Sequence, residues 1–330
     1  MRHTSTAQPS VSEPRAGSGI VLENLSKSYG THRVLTDLSF PIKSGRMTGF
    51  VGGNGAGKTT TMRILMGVLA YEGGTITVDG SPIDAQYRSR IGYMPEERGL
   101  YPKMPVKEQL VYLAKLHGVS SSQASRRSDE ILERLELGAR AADNLEELSL
   151  GNQQRVQVAA ALVHDPVALV LDEPFSGLDP QAVDTILDVL REVAGRGAPV
   201  LFSSHQLDLV ERLCDELVIL ANGRVAANGT RDQLLAQAGM SEWQLRTDTD
   251  TGWAREIPGI SVTEFDGGDL RFTAENAETA HQLLTHAITR GTIFEFGPVH
   301  HTLHEIFHDV VQDVNTKQSS PAESTPGDQS

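Results

Sequence analysis

Gly52-Gly53-Asn54-Gly55-Ala56-Gly57-Lys58-Thr59 follows the apolar run Met47-Thr48-Gly49-Phe50-Val51 and leads into Thr60-Thr61-Met62-Arg63-Ile64-Leu65. The order is a strand, a glycine-rich turn and a helix start, reading G-x-x-x-x-G-K-T. The glycines let successive backbone N–H groups turn inward around phosphate oxygens, and the helix N-terminus adds its partial positive charge. Lys58 is placed to reach β- and γ-phosphates, and the Thr59 hydroxyl to ligate Mg²⁺. These residues predict a chain that binds a nucleoside triphosphate.

The composition narrows what else the chain does. Its 330 residues suit one large or two ordinary domains, and 39% hydrophobic residues are enough for a real core. A formal charge of −14 weighs against nucleic acid as the main partner, because phosphate-backbone binding needs a basic face. Cys214 is the single cysteine, so no intramolecular disulfide forms, which fits a reducing compartment. The stretch before Gly17 lacks an apolar core of signal-peptide length. No run approaches the ~18–20 apolar residues of a membrane span. The expectation is a protein soluble by itself.

Outward from the glycine loop, the chain divides by pattern. Residues 1–17 and 313–330 are rich in Ser, Thr and Pro and are expected to be disordered tails. Order starts with a strand at Gly19–Leu25, and short β-like runs such as Thr75–Val78 continue to about residue 98. Apolar residues at helical spacing predict helices over Val106–Leu116 and Ser125–Leu137. From residue 152 helices (Gln153–Val163, Gln181–Ala194) alternate with apolar strands (Val167–Leu171, Val200–Ser204). That alternation predicts an α/β fold with a mostly parallel sheet covered by helices. After Gly229 short strands at Glu242–Arg246, Ile260–Phe265, Leu270–Thr273 and Thr292–Phe296 accompany helices at Ala277–Arg290 and Thr302–Val311. These make a small α/β module.

Val167-Ala168-Leu169-Val170-Leu171-Asp172-Glu173 is a buried strand ending in two carboxylates. An acid at the carboxyl end of a strand beside a phosphate loop can hold Mg²⁺, and Asp172 fits that role. Glu173 can then accept a proton from the attacking water or orient it. His205 follows the strand Val200–Ser204 and so stands at a strand's carboxyl end near the nucleotide. On a final helix His301, His304 and His308, with His300 just before, face away from Leu303, Ile306, Phe307 and Val310. A solvated face explains that cluster better than a zinc or nickel site.

Leu148-Ser149-Leu150-Gly151-Asn152-Gln153-Gln154-Arg155 resembles the LSGGQ signature of ATP-binding-cassette (ABC) ATPases. Other elements of that family fall in order around it: Tyr29, Pro95-Glu96 at the Q-loop position, Ser176-Gly177-Leu178-Asp179-Pro180 as D-loop, and His205 as the switch histidine. The resemblance covers about residues 19–238. It implies a phosphate-loop cassette at 18–238 with a parallel core, an antiparallel β subdomain and a helical subdomain at about 99–150. A small α/β accessory domain at 241–312 follows. Three positions depart from the common pattern. Gly53 replaces a proline, Glu96 replaces Gln and adds a charge, and Leu150 and Asn152 replace the third and fifth signature residues.

The resemblance also implies roles. Tyr29 stacks on adenine, and Gly52 to Gly57 with Lys58, Thr59 and Thr60 cradle the phosphates of ATP. Thr59, Glu96 and Asp172 serve Mg²⁺, directly or through water. Glu173 and His205 act on the water and the γ-phosphate, with Lys58 and Glu96 completing the catalytic set. Ser149 and Gly151, just ahead of a helix, reach the γ-phosphate held by a second ATP-binding subunit in a head-to-tail dimer, with Asp179 at that junction. A separate membrane permease is the other partner, which places the chain at the cytoplasmic face of the membrane. The run Ile91–Tyr101 and the LSLGN variant are similar to bacterial exporter ATPases for sodium extrusion and drug resistance, which often carry a small C-terminal α/β domain. Two alternatives stay open: a soluble ABC ATPase without a permease, and a weakly hydrolysing regulator.

Overall fold

The structure, a computed structural model, describes residues 19–97, 99–237 and 242–299. The chain forms two compact units that meet in sequence between Asn228 and Gly229. The expected tails, the final helix at 302–311 and the His300–His308 cluster lie outside the described residues.

In chain order the first unit contains β1 (Gly19–Tyr29), β2 (His32–Lys43), β3 (Met47–Gly52), α1 (Lys58–Leu65), β4 (Gly73–Val78), β5 (Ser81–Pro82), α2 (Ala85–Arg88) and β6 (Ile91–Met94). There follow α3 (Val106–Leu116), α4 (Ser121–Arg134), α5 (Leu150–Leu162), β7 (Ala168–Leu171), α6 (Pro180–Gly195), β8 (Val200–Ser204), α7 (Leu207–Leu213), β9 (Glu216–Ala221) and β10 (Arg224–Gly229). Six strands make one sheet in the order β10-β9-β3-β8-β7-β6. From β9 through β6 every adjacent pair is parallel. Every residue of β3, β7 and β8 is buried, which explains their largely apolar sequences: both sheet faces are covered. Parallel pairing also brings the carboxyl ends of β3, β8 and β7 to one edge.

The second sheet, in the order β2-β1-β4-β5, is antiparallel. Its buried Leu22, Leu38, Phe40 and Ile76 share one core with Phe50 of β3 and with Met62 and Ile64 of α1. Phe40 and Phe50 lie 5.1 Å apart between ring centroids and join the two sheets.

Local chemistry sets the helix ends. Ser149 caps α5, its hydroxyl accepting from the Asn152 N–H, so the helix begins at Leu150 rather than at Gln153. Asp179 caps α6 by accepting from the Ala182 N–H at 2.8 Å, with Pro180 in the first turn. The helix expected over Ser125–Leu137 is α4, displaced to Ser121–Arg134. Glu136 has a φ of 57°, which ends the helix, while Leu135 and Leu137 stay buried beyond it. Arg155 of α5 binds this turn through the Leu135 carbonyl and the Glu136 carboxylate.

In the second unit, α8 (Arg231–Gln237) precedes β11 (Glu242–Thr247), β12 (Ile260–Asp266), β13 (Asp269–Ala274), α9 (Ala277–Ile288) and β14 (Ile293–Pro298). The strands form an antiparallel sheet in the order β12-β13-β11-β14. Leu245, Leu270 and Phe272 of the sheet pack with Ala280, Leu283 and Ala287 of α9 as a separate core.

Just past α5, the His164 ring stacks on His117 at 3.8 Å between centroids. Burial first, and then the neighbouring His117, pull the His164 pKa down from 6.5 to about 4. Native His164 therefore stays neutral where the unfolded chain takes up a proton. Its contribution is complete above pH 6.5 and is lost as pH falls towards 4. Urea unfolding at pH 7 and pH 5 should show this loss, and His164→Phe should reduce it. An unchanged pH slope in that variant would remove His164 as its source.

Candidate functional site

The sheet edge where β3, β7 and β8 end opens into a cleft of about 880 Å³. Gly53 to Thr60 line it together with Glu96, Asp172, Glu173 and His205, and with Tyr29, His32 and Val34. The loop is shaped for close approach. Gly55 and Gly57 take positive φ values of 76° and 107°, and at Gly53 and Gly55 nothing lies within 4 Å of where a side chain would begin. The Lys58 ammonium is folded along the loop and donates to the Gly52 carbonyl at 2.7 Å and the Gly53 carbonyl at 3.4 Å. Tyr29 is half exposed at the cleft. Lys27 lies over the Tyr29 ring, 5.4 Å from its centroid.

Asp172 is 1% exposed, and its carboxylate accepts from two hydroxyls. Thr59 Oγ1 of α1 donates to Oδ2 at 2.8 Å, and Ser203 Oγ of β8 donates to Oδ1 at 2.5 Å. Among the described residues no basic side chain is ion-paired with it. A buried carboxylate so placed, beside a hydroxyl and an open phosphate cradle, fits a small hard cation whose other ligands are phosphate oxygens and water. Among the described residues no three His, Cys, Asp or Glu side chains converge as a metal-binding group. Glu96 lines the same cleft as the third carboxylate there. Burial raises the pKa of the Tyr93 phenol on β6, and the Asp172 charge adds to the shift.

Glu173, with a side chain 14% exposed, meets the His205 ring at 3.0 Å between Oε2 and Nδ1. His205 is 58% exposed and stands on the solvent side of that pair. The cleft thus gathers Tyr29, the loop, Thr59, Thr60, Glu96, Asp172, Glu173 and His205. Ser149, Gly151 and Asp179 are not among its lining residues, although Leu150, Gln154, Ser176 and Gly177 reach its wall. Leu150 is 63% exposed. Two contributors, Ser203 and Gln154, escaped the sequence reading. Ser203 was legible only as a polar residue near the end of an apolar strand, and Gln154 only as one polar residue among Asn152, Gln153 and Arg155 at the start of α5.

Fold and cleft together define a phosphate-loop ATP-binding cassette. The ABC transporter family model matches residues 35–176, and a model for the C-terminal domain of DrrA1-3-like ATP-binding proteins matches residues 229–311. The chain is 35% identical to an uncharacterized ABC transporter ATP-binding protein, YhaQ, of Bacillus subtilis, over 88% of this chain and 98% of that protein. It is 38% identical to Nod factor export ATP-binding protein I of Paraburkholderia xenovorans, over 81% and 90% of the two chains. A solved ATP-binding subunit of an ABC transporter superposes with a TM-score of 0.62 at 35% identity, covering 67% of this chain and 93% of that one. The chain belongs to the ABC transporter family: it is an ATP-binding subunit, an ATPase coupled to transport.

Lys58→Met should weaken binding of a fluorescent ATP analogue by about tenfold or more, a loss equivalent to one charge-assisted contact of ~1.5–3 kcal/mol. Its melting temperature should stay unchanged. Equal affinity in the two proteins would place the phosphates elsewhere.

Proposed function

We propose that two copies of this cassette, or this cassette and a paralogue, close head to tail around two ATP molecules and drive export through a separate membrane permease. The observation that carries the reading is the convergence of Thr59, Asp172, Glu173 and His205 on one glycine-rich phosphate cradle. Tyr29 offers a π-face to the base, and the loop amides with Lys58 bind and orient the phosphates. Thr59 and Asp172, with Glu96 nearby, would hold Mg²⁺, which neutralises charge on the phosphoryl oxygens. Glu173 accepts the proton of the attacking water, and His205, in contact with its carboxylate, keeps it aimed and faces the γ-phosphate.

Ser149 and Gly151 stand outside the cleft of their own chain, which supports their serving a nucleotide on a second subunit. The Ser149 cap and the first amides of α5 suit an anion in that role, and Asp179 at the start of α6 would lie at the same junction. Export is supported by the relative named for Nod factor export. Among the described residues no helix is long and apolar enough to cross a membrane, so attachment to the cytoplasmic face would run through the permease. Tyr101 and Tyr112 are 54% and 42% exposed, with rings edge to face at 6.3 Å, on the helical insert that follows Glu96. That aromatic patch suits a cytoplasmic loop of the permease.

Glu173→Gln should bind MgATP normally, accumulate dimers on gel filtration, and hydrolyse ATP at least ~10²-fold more slowly, the usual contribution of a general base. Full turnover in that variant would take Glu173 out of the reaction. Tyr101→Ala combined with Tyr112→Ala should leave the turnover of the purified subunit unchanged and cut its recovery with membranes. Undiminished recovery would assign the patch to something else.

A further inference from the structure

Glu173 holds a backbone conformation that its own sequence opposes. Its φ is +53°, in the left-handed region that glycine tolerates and a residue with a Cβ resists. Pro174 follows it, and a residue before proline is pushed towards extended backbone with negative φ. Such a conformation persists only where the surroundings over-determine it. The structure supplies those surroundings on both sides of the Glu173 Cα.

On the amino side, the Glu173 N–H donates to Ser203 Oγ at 2.8 Å, and the same hydroxyl donates onward to Asp172 Oδ1. A hydroxyl has one proton, so the direction of this relay is fixed: amide to serine to carboxylate. On the carboxyl side, Gln154 Nε2 donates to the Glu173 carbonyl at 2.8 Å, and the Ser176 N–H reaches the same oxygen at 3.2 Å. Ser203 is fully buried and Gln154 is 7% exposed, so neither finds water as an easy substitute partner. With both bonds in place the two peptide planes flanking Glu173 are pinned, and its side chain leaves the backbone towards His205 and the cleft. Rotating φ back to a negative value would move one flanking peptide relative to the other and break at least one of these bonds.

We propose that Ser203 and Gln154 are positioning residues for ATP hydrolysis: together they clamp the left-handed peptide of Glu173, so that its carboxylate is presented to the attacking water. Gln154 adds a connection, because it sits on α5, the helix that Ser149 caps. The helix whose capping Ser149 does not line the cleft thus grips, through Gln154, the backbone of the base inside it. This inference rests on the reading of Glu173 as the general base.

Steady-state phosphate release with MgATP tests it. Ser203→Ala and Gln154→Leu should each lower kcat about ten- to a hundredfold, the scale of a base misplaced by ~1 Å. KM for MgATP should stay within about threefold in Gln154→Leu, which leaves the phosphate loop and Asp172 untouched; Ser203→Ala also removes a donor to Asp172, so kcat alone is compared there. Ser203→Thr, which keeps the hydroxyl, should recover most of the lost kcat. In a Glu173→Gln background, Gln154→Leu should cost nothing further in single-turnover hydrolysis, since no base remains to be aimed. A merely structural glutamine would keep its cost there. Should the leucine variant not fold, Gln154→Glu keeps the shape while removing the donor and repeats the measurement. Normal kcat in both clamp variants, with Glu173→Gln inactive, overturns the clamp alone. Full activity of Glu173→Gln overturns the reading beneath it and the clamp with it.

Discussion

The hydrogen bond from Thr59 to Asp172 is the contact on which the site depends. It ties the first turn of α1 to the end of β7, two elements more than a hundred residues apart in the chain. It is possible only because β3 and β7 run parallel with β8 between them, so that all three end at one edge. The strand in the middle supplies Ser203, whose hydroxyl closes the gap between the neighbouring strand ends. A slip of one residue in the register of β7 against β8 would turn Asp172 and its neighbours to opposite faces of the sheet. Position here comes from the sheet, and the loop provides the shape.

The site stores unfavourable features that the surrounding fold has to offset. Asp172 is a carboxylate in near-complete burial with hydroxyls as partners. Glu173 is left-handed before a proline, and the Lys58 ammonium is spent on loop carbonyls. A left-handed non-glycine residue costs on the order of 1–3 kcal/mol, and burying a carboxylate costs more before its hydrogen bonds offset it. The shared core of the two sheets and α1, with Phe40, Phe50 and Met62 among its members, opposes those costs. Strain near reactive groups is common because preorganisation needs it.

Most of this architecture was legible in the sequence, for identifiable reasons. The glycine loop, the Asp172-Glu173 strand end and the apolar runs of β7 and β8 carry strong local signals, and the structure places them together. The antiparallel strand β2 and the β9 and β10 segments were not read out. Their residues mix buried and exposed positions, or carry polar groups whose partners lie far away, as with Lys43 and Glu216. The end of α4 was misplaced because Leu135 continues the apolar spacing after the backbone has turned at Glu136. Ser203 and Gln154 carry no motif. Their importance exists only in three dimensions, where two unrelated elements meet one strained peptide.

Thr59 and Asp172 would hold the cation that accompanies ATP. Electron paramagnetic resonance of Mn²⁺, titrated into the protein with ATP, tests it most directly. In the wild type a protein-bound Mn²⁺ signal that requires ATP is expected. In Asp172→Asn that signal should be lost at the same concentrations, although ATP still binds. An unaltered bound signal in Asp172→Asn would contradict it, because the cation would then be held by groups other than those that join α1 to β7.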